Sequence, residues 1–287
     1  MAAAHAVGWP IPRGGAGRLT GALANHFRSL GGTIETGCRV SSLGDVPSAR
    51  ALVFATGFPE LARIAGDALP GRYRRAAERW RYGPGAFKVD WALDAPIPWS
   101  DPGVAKAGTV HVGGSFAEIV ASEREPWRGR VSDRPFVLLA QPSLFDPTRT
   151  PEGKHTAWAY AHVPNGWDGD LTDAIEAQIE RFAPGFRERI LSKAVWSPRR
   201  LEAWDANLVG GDVNGGALTL GQTLGPARWR LNGWRIGPAR TGGPSGKRPD
   251  LYICSASTPP GGGVHGMGGY HAARTALRQT FGVRAGS

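Results

Sequence analysis

Residues 255–273, SASTPPGGGVHGMGGYHAA, concentrate the residue types that hold a ligand through the main chain. They follow an apolar stretch, LYICSA, and lead into a run with helical spacing. Glycine lacks a Cβ, so a ligand can approach the backbone closely there. A helix start adds free N–H groups and a partial positive charge. The chemistry this suits is the cradling of a phosphate or of an electron-rich ring edge. Gly261, Gly263 and Gly266 satisfy G-x-G-x-x-G, yet no Asp or Glu follows Asp250. The first turn of a dinucleotide-binding unit needs an acidic residue about 20 positions further on, so this is not that turn. A glycine-rich strand–helix turn with no ligand is the plainer alternative. His265, inside the turn, is a weak catalytic candidate, able to polarise a ring or exchange a proton. Its alternative is capping or packing, and His271 reads as structural.

Two further segments carry polar groups on tight turns. GWPIPRGGAGRL contains Pro12, Arg13, Gly14 and Gly15 ahead of a helix, where Arg13 and the helix start could hold an anion. A proline-fixed loop is the alternative. GGDVNGG sets Asp212, Asn214 and Gly215 among glycines, so that polar groups point at something; a surface hairpin is the alternative. Pro12, Arg13, Gly14, Gly15, Asn214 and Gly215 are taken as substrate-side residues. Lys88 and Asp90 share the face of a strand opposite Phe87, Val89 and Trp91. Lys88 is a second weak catalytic candidate, with a solvated strand face as its alternative. No Ser-His-Asp set, G-x-S-x-G, P-loop or metal spacing of the C-x-x-C or H-E-x-x-H kind is present, so neither hydrolysis nor a metal site is expected.

The elements that must position these segments follow from periodicity. Leu19, Leu23, Phe27 and Leu30 predict a helix over residues 18–30, ended by Gly31-Gly32. Strands are expected at 33–36, 39–43 and 50–56, the last entering a turn at Gly57. Alternation predicts strands at 87–93, 109–112, 136–141 and 156–162. A helical stripe runs over 171–182, capped by Thr172 or Asp173. Residues 221–249 read as a loop or irregular hairpin, 251–256 as a strand and 266–281 as a helix. Helices and strands alternate at both ends around a more antiparallel middle, which suggests one domain inserted in another.

Composition bounds the rest. A chain of 287 residues can bury a sizeable core. The net charge of +10 favours anionic partners, but no arginine cluster alternates with aromatics as in a nucleic-acid motif, so that partner is not expected. Two isolated cysteines, Cys38 and Cys254, suit a reducing cytosol. Basic charge and 11 tryptophans motivate peripheral membrane contact as an added expectation.

The order PRGG-x-G-x-L, helix, GG, strand, C-R-V-x-x-L, an apolar strand ending in A-T, and LYICSASTPPGGGVHGMGGYHAA resembles the phytoene desaturase-like FAD-dependent oxidoreductases, relatives of the amine oxidase and glutathione reductase flavoproteins. The resemblance runs from about Gly8 to Leu277. It implies an α/β (mixed α+β) fold: a partial FAD-binding domain of the glutathione reductase/amine oxidase type at 1–60 and 248–287, with an inserted, mostly antiparallel substrate domain at 61–247. It implies FAD as cofactor. Val40 would meet the adenine, and Ala55, Thr56 and Gly57 would lie by the ADP part. Ser257, Thr258, Pro259, Pro260, Gly261, Gly262, Gly263, Val264, His265 and Gly266 would line the ring and pyrophosphate end. The expected reaction is hydride transfer from an apolar isoprenoid or lipid-like small molecule to the flavin. The family's N-terminal G-x-G-x-x-G unit has no counterpart here, so the expectation is either a truncated gene product or gene model, or a separate N-terminal FAD-binding polypeptide as partner. A non-catalytic remnant or interaction module is the competing reading.

Overall fold

The computed structural model describes residues 6, 8, 10–223, 233–239 and 248–283. In chain order the elements are α1 (Ala16–Ser29), β1 (Ala51–Phe54), α2 (Phe58–Ala65), α3 (Gly71–Glu78), β2 (Gly85–Leu93), β3 (Val110–Val112), α4 (Phe116–Arg124), β4 (Val137–Ala140), β5 (His155–Val163), α5 (Thr172–Glu180), β6 (Ile190–Trp196), α6 (Pro198–Trp204), α7 (Leu220–Thr223), β7 (Arg235–Pro238), β8 (Asp250–Ile253) and α8 (Met267–Thr280). The chain divides into two compact units. One comprises Met1–Cys38 and Ala86–Ser197, the other Arg39–Gly85 and Pro198–Ser287. These seams differ from the 60/61 and 247/248 boundaries that the sequence suggests.

The first unit is built on a five-stranded sheet in the order β3-β4-β5-β2-β6. The pairs β3–β4, β4–β5 and β2–β6 are antiparallel. Strict alternation in β2 and β5 explains why it forms. Phe87, Val89, Trp91 and Leu93, with Ala157, Ala159, Ala161 and Val163, turn to one face and are buried with Ile175 and Ile179 of α5 and with Phe186. Trp91 Nε1 donates to Glu176 Oε1 at 3.0 Å, so the indole's polar edge is satisfied inside the core. The residues between them, Lys88 and Asp90 on β2 and Trp158, Tyr160 and His162 on β5, occupy the other face and are half-buried.

The second unit holds a three-stranded sheet, β1-β8-β7. β1 and β8 pair in parallel, from Ala51↔Asp250 to Phe54↔Ile253. β7 is antiparallel to β8. Phe58, Leu61, Leu69 and Tyr73, from α2, α3 and the turn between them, close over Leu251, Ile253 and Ile236 in a separate core. The far end of α8 is tied back to the sheet: Thr280 Oγ1 donates to Asp250 Oδ2 at 2.7 Å and Arg50 Nη2 to the Thr280 carbonyl at 2.8 Å.

The expected mixed α/β class with a largely antiparallel second sheet is what the chain adopts. Several local expectations are corrected. Residues 33–36 and 39–43 form no strand; the turn of 43–45 instead draws its backbone into a capping box, with Asp45 accepting from Ser41 and Ser42. The cap of α5 comes from neither Thr172 nor Asp173. Leu171 is the N-cap residue and Asp170 takes the Thr172 N–H at 2.8 Å. Within 221–249, β7 is a strand; 224–232 and 240–247 lie outside the described residues. The stripe of α1 is helical as expected, but Leu19, Leu23 and Phe27 are exposed. Among the described residues no helix is long and apolar enough to cross a membrane.

A pH test follows from Glu118, which caps α4 and binds Arg181 at 3.0 Å and Arg134 at 3.3 Å. The Arg181 guanidinium, then the Ser115 N–H, holds its carboxyl down at about 2, against 4.5 for a free glutamate. Its contribution to stability is therefore complete above pH 4.5 and is lost as pH falls toward 2. Urea denaturation should show Glu118→Gln less stable than the parent at pH 7, with the gap closing by about pH 2. A gap that persists at that pH would mean the pairing is not the source.

Candidate functional site

In a parallel sheet, adjacent strands deliver their turns to the same edge, and ligands bind beyond the carboxyl ends. β1 and β8 do this here. The Cys254 N–H donates to the Phe54 carbonyl at 2.8 Å, so residues 55–57 and 255–258 leave the sheet side by side. Each then enters a helix: 55–57 lead to α2 and 255–266 to α8.

The first turn depends on Gly57. A Cβ at that position would stand 2.6 Å from the Tyr82 hydroxyl and 3.9 Å from Ser257 Oγ, so no side chain fits without displacing Tyr82. The Gly57 N–H is held by Asn207 Oδ1 at 3.3 Å. Burial, then the charges of Asp212 and Glu202, pushes the Tyr82 phenol up to about 12, so it stays a neutral hydroxyl at working pH.

The second turn is fixed at its root. Ser257 and Thr258 are buried. Ser257 Oγ donates to the Gly215 carbonyl at 2.6 Å, which also accepts Trp80 Nε1 at 3.1 Å. Thr258 Oγ1 and N–H both return to the Ser255 carbonyl, at 2.7 and 2.9 Å. The Pro259 carbonyl accepts Trp234 Nε1 at 2.9 Å, and the Trp234 ring stacks on His271 of α8, centroids 4.6 Å apart. Beyond this root, Gly262, Gly263, Val264, His265 and Gly266 are exposed. His265 Nδ1 accepts the Met267 N–H at 3.1 Å, placing the imidazole at the helix start. α8 then sits directly on the strand end: a Cβ at Gly268 would meet the Cys254 carbonyl oxygen at 2.7 Å.

The loop 207–216 buttresses both turns. Asp212 is buried and its carboxylate accepts the Gly83 N–H at 2.7 Å and the Asn214 N–H at 2.6 Å. This loop is therefore anchored inside, not a surface hairpin. Asn214 backbone atoms would lie 3.4 Å from a Cβ at Gly262, which brings Asn214 and Gly215 against the 257–262 turn. The glycines around Asp212 signal this loop in the sequence; nothing in the sequence singles out Tyr82 or Asn207.

Beside β1 lies a cavity of about 200 Å³ lined by Val40, Leu43, Val46, residues 52–56 and Ile64. It unites Val40, Ala55 and Thr56, which the resemblance assigns to the adenine side. Thr56 Oγ1 is buried and makes no hydrogen bond with a described residue. An apolar cleft with one unanswered hydroxyl suits a flat heteroaromatic ring bearing a polar edge. The cavity does not include the 257–266 turn. The residues present thus fit FAD in two places within this unit, the cleft and the paired turns.

The remaining expected residues belong to the other unit. The Gly14 N–H donates to Asp146 Oδ2 at 2.6 Å, and the buried Asp146 also takes Thr148 Oγ1 at 2.7 Å. Those bonds, Thr148's first, hold the Asp146 carboxyl below its ordinary range. The turn of Pro12 to Gly15 closes by Gly15 N–H to the Pro12 carbonyl at 2.9 Å, while Arg13 is exposed. Lys88 is ion-paired with Asp90. Among the described residues, no group of three or more His, Cys, Asp or Glu is placed to hold a metal.

Replacing Asp212 by Ala should cost about 1–3 kcal/mol, because the buried Gly83 N–H loses its acceptor. Asp212→Asn, which retains one carbonyl acceptor, should lose less. Urea midpoints of the three proteins check this; equal stability of parent and Asp212→Ala would show that the loop does not depend on the carboxylate.

No protein-family model matches the chain. It is similar to the pyridine nucleotide-disulfide oxidoreductase domain-containing protein 2 of Rattus norvegicus, 25% identical over 307 aligned positions. The Mus musculus protein of the same name is 24% identical. Both alignments cover 94% of this chain and 51% of the relative. The chain therefore spans about half the length of the curated relatives it matches. In three dimensions it is similar to the crystal structure of an oxidoreductase from Methanosarcina mazei, with a TM-score of 0.53 and 18% identity, over 94% of this chain and 55% of the other. The fold is one that an oxidoreductase uses.

Proposed function

We propose that this chain carries the adenine-side and ring-side turns of an FAD-dependent oxidoreductase of the phytoene desaturase type. The reaction is hydride transfer from an apolar, isoprenoid or lipid-like substrate, and bound FAD supplies the hydride acceptor. The observation that carries this reading is the delivery of 55–57 and 255–258 to one sheet edge by the parallel pair β1 and β8. Both turns open helices, whose free N–H groups favour a pyrophosphate. Val40, Ala55 and Thr56 would hold the adenine. Gly57 and the 257–266 turn would hold the remainder, with Asn214 and Gly215 beside them. The names of the curated relatives and of the Methanosarcina mazei protein support oxidoreductase chemistry in general.

The G-x-G-x-x-G fingerprint would come from a further segment, in the same or a separate polypeptide. Among the described residues β1 is the last strand of its sheet on one side, which supports the addition of strands there. The exposure of residues 262–266 supports the same view, since a completed site would cover them.

The purified chain should quench the fluorescence of added FAD saturably, with ADP competing. Thr56→Val should weaken FAD about fivefold, the worth of one hydrogen bond of roughly 1 kcal/mol. Gly57→Val should weaken it further, with little change in circular dichroism. Absence of quenching at millimolar FAD, or binding indifferent to both substitutions, would remove this reading for the chain.

A further inference from the structure

Gly57 is a glycine for a reason its own backbone does not supply. Its φ of −63° and ψ of 164° are extended values open to any residue. The crowding at its Cβ position has one source. The Tyr82 hydroxyl lies 2.6 Å away, while Pro59 and Ser257 Oγ stand back at 3.9 Å. The turn therefore leaves out a side chain and seats a phenol oxygen in its place.

That oxygen is held firmly and left unused. Its residue is pinned from both sides. The Arg81 N–H donates to Gln222 Oε1 at 3.0 Å, the Arg81 carbonyl accepts the Ala217 N–H at 2.9 Å, and the Gly83 N–H goes to the buried Asp212 carboxylate at 2.7 Å. The neighbouring side-chain donors are already committed. Trp80 Nε1 and Ser257 Oγ share the Gly215 carbonyl, and Thr258 Oγ1 returns to the Ser255 carbonyl. The Tyr82 hydroxyl, on a half-buried side chain, makes no hydrogen bond with a described residue. A fixed donor without a protein acceptor marks the place of a ligand oxygen.

Two observations select which oxygen. Neither Gly57 nor Tyr82 lines the cleft beside β1, so the hydroxyl belongs to the side of the turn that faces Ser257. The surroundings there are negative: Asp212, Glu202 and Glu60 act on the phenol through space and oppose its ionisation. The same charges oppose a phosphate oxygen at that point. A neutral sugar-alcohol hydroxyl can accept the bond and meets no such repulsion.

We infer that Tyr82 is a ligand-binding residue that donates to a ribityl hydroxyl of FAD, and that Gly57 is kept bare to seat it. This rests on the flavin reading and deepens it. The pyrophosphate is left to the helix starts, and the stretch between pyrophosphate and ring falls to a side chain that lies in neither turn.

The test compares FAD, followed by fluorescence quenching, with ADP, followed by calorimetry, on the full chain. Tyr82→Phe keeps the ring and removes only the hydroxyl. It should weaken FAD about fivefold, the worth of one hydrogen bond, and leave ADP unchanged. Gly57→Ala, which pushes the hydroxyl aside, should weaken FAD by a similar factor. The double variant should lose no more than either alone. Unchanged FAD affinity in Tyr82→Phe, an equal loss for ADP, or losses that add in the double variant would each overturn the inference. Should Tyr82→Phe lose its native circular dichroism, Gly57→Ala decides: a fivefold loss confined to FAD supports the inference, and an unchanged FAD affinity overturns it. A parent chain that takes up no FAD removes the flavin reading and this inference together. A parent that binds FAD no more tightly than folded Tyr82→Phe removes this inference alone.

Discussion

The four-residue parallel ladder between β1 and β8 is the constraint on which the second unit rests. It joins Ala51 to Asp250 and Phe54 to Ile253, two segments about 200 positions apart in the chain. A parallel pair cannot be closed by a hairpin, so everything between must return through a crossover. That return is what puts two strand–turn–helix units in register. Both cores of the chain are local solutions to burying one sheet face. The ladder, with the 207–216 loop that bonds to both, fixes where the turns at residues 55–57 and 255–258 stand relative to each other.

Buried aspartates perform the same task in both units. Asp212 in one and Asp146 in the other each accept backbone N–H groups from loops far away in sequence: Gly83 lies 129 positions from Asp212, and Gly14 lies 132 from Asp146. A carboxylate with two acceptor oxygens can satisfy donors that no ladder reaches, which is why irregular, glycine-rich segments can still be fixed. The loops that carry the candidate ligand contacts are thus held by side-chain acceptors rather than by regular pairing. Their rigidity rests on a few side-chain acceptors.

Much of this was legible from residue patterns because it rests on local physics. Alternation in β2 and β5 and the apolar runs of β1, β4 and β8 gave strands where the chain has strands. The 255–273 segment announced a strand–turn–helix. Failures fall where context outweighs pattern. Residues 33–36 and 39–43 have strand-like composition but no partner strand among the described residues. β6, ILSKAVW, was not anticipated because it is an edge strand with four successive exposed residues and no alternation. α4 was hidden because its burial is slight, with only Ser122 buried. Of the candidate site, the glycines and Asp212 were visible as types that turns require. Tyr82 and Asn207 were not, because each acts through a contact that only the folded chain creates. The grouping of Val40 with Ala55 and Thr56 came from resemblance, and the cavity brings those three together.

The outer edge of β1 carries a consequence for handling the protein. Its backbone groups face no strand among the described residues, and Val53 is 47% exposed beside them. An unpaired strand edge can template the pairing of one molecule with the next, and the shortness of β1 limits this. The strong positive charge keeps molecules apart at low ionic strength, and added salt screens that repulsion. Concentrated, high-salt stocks are therefore the conditions under which this protein would clump.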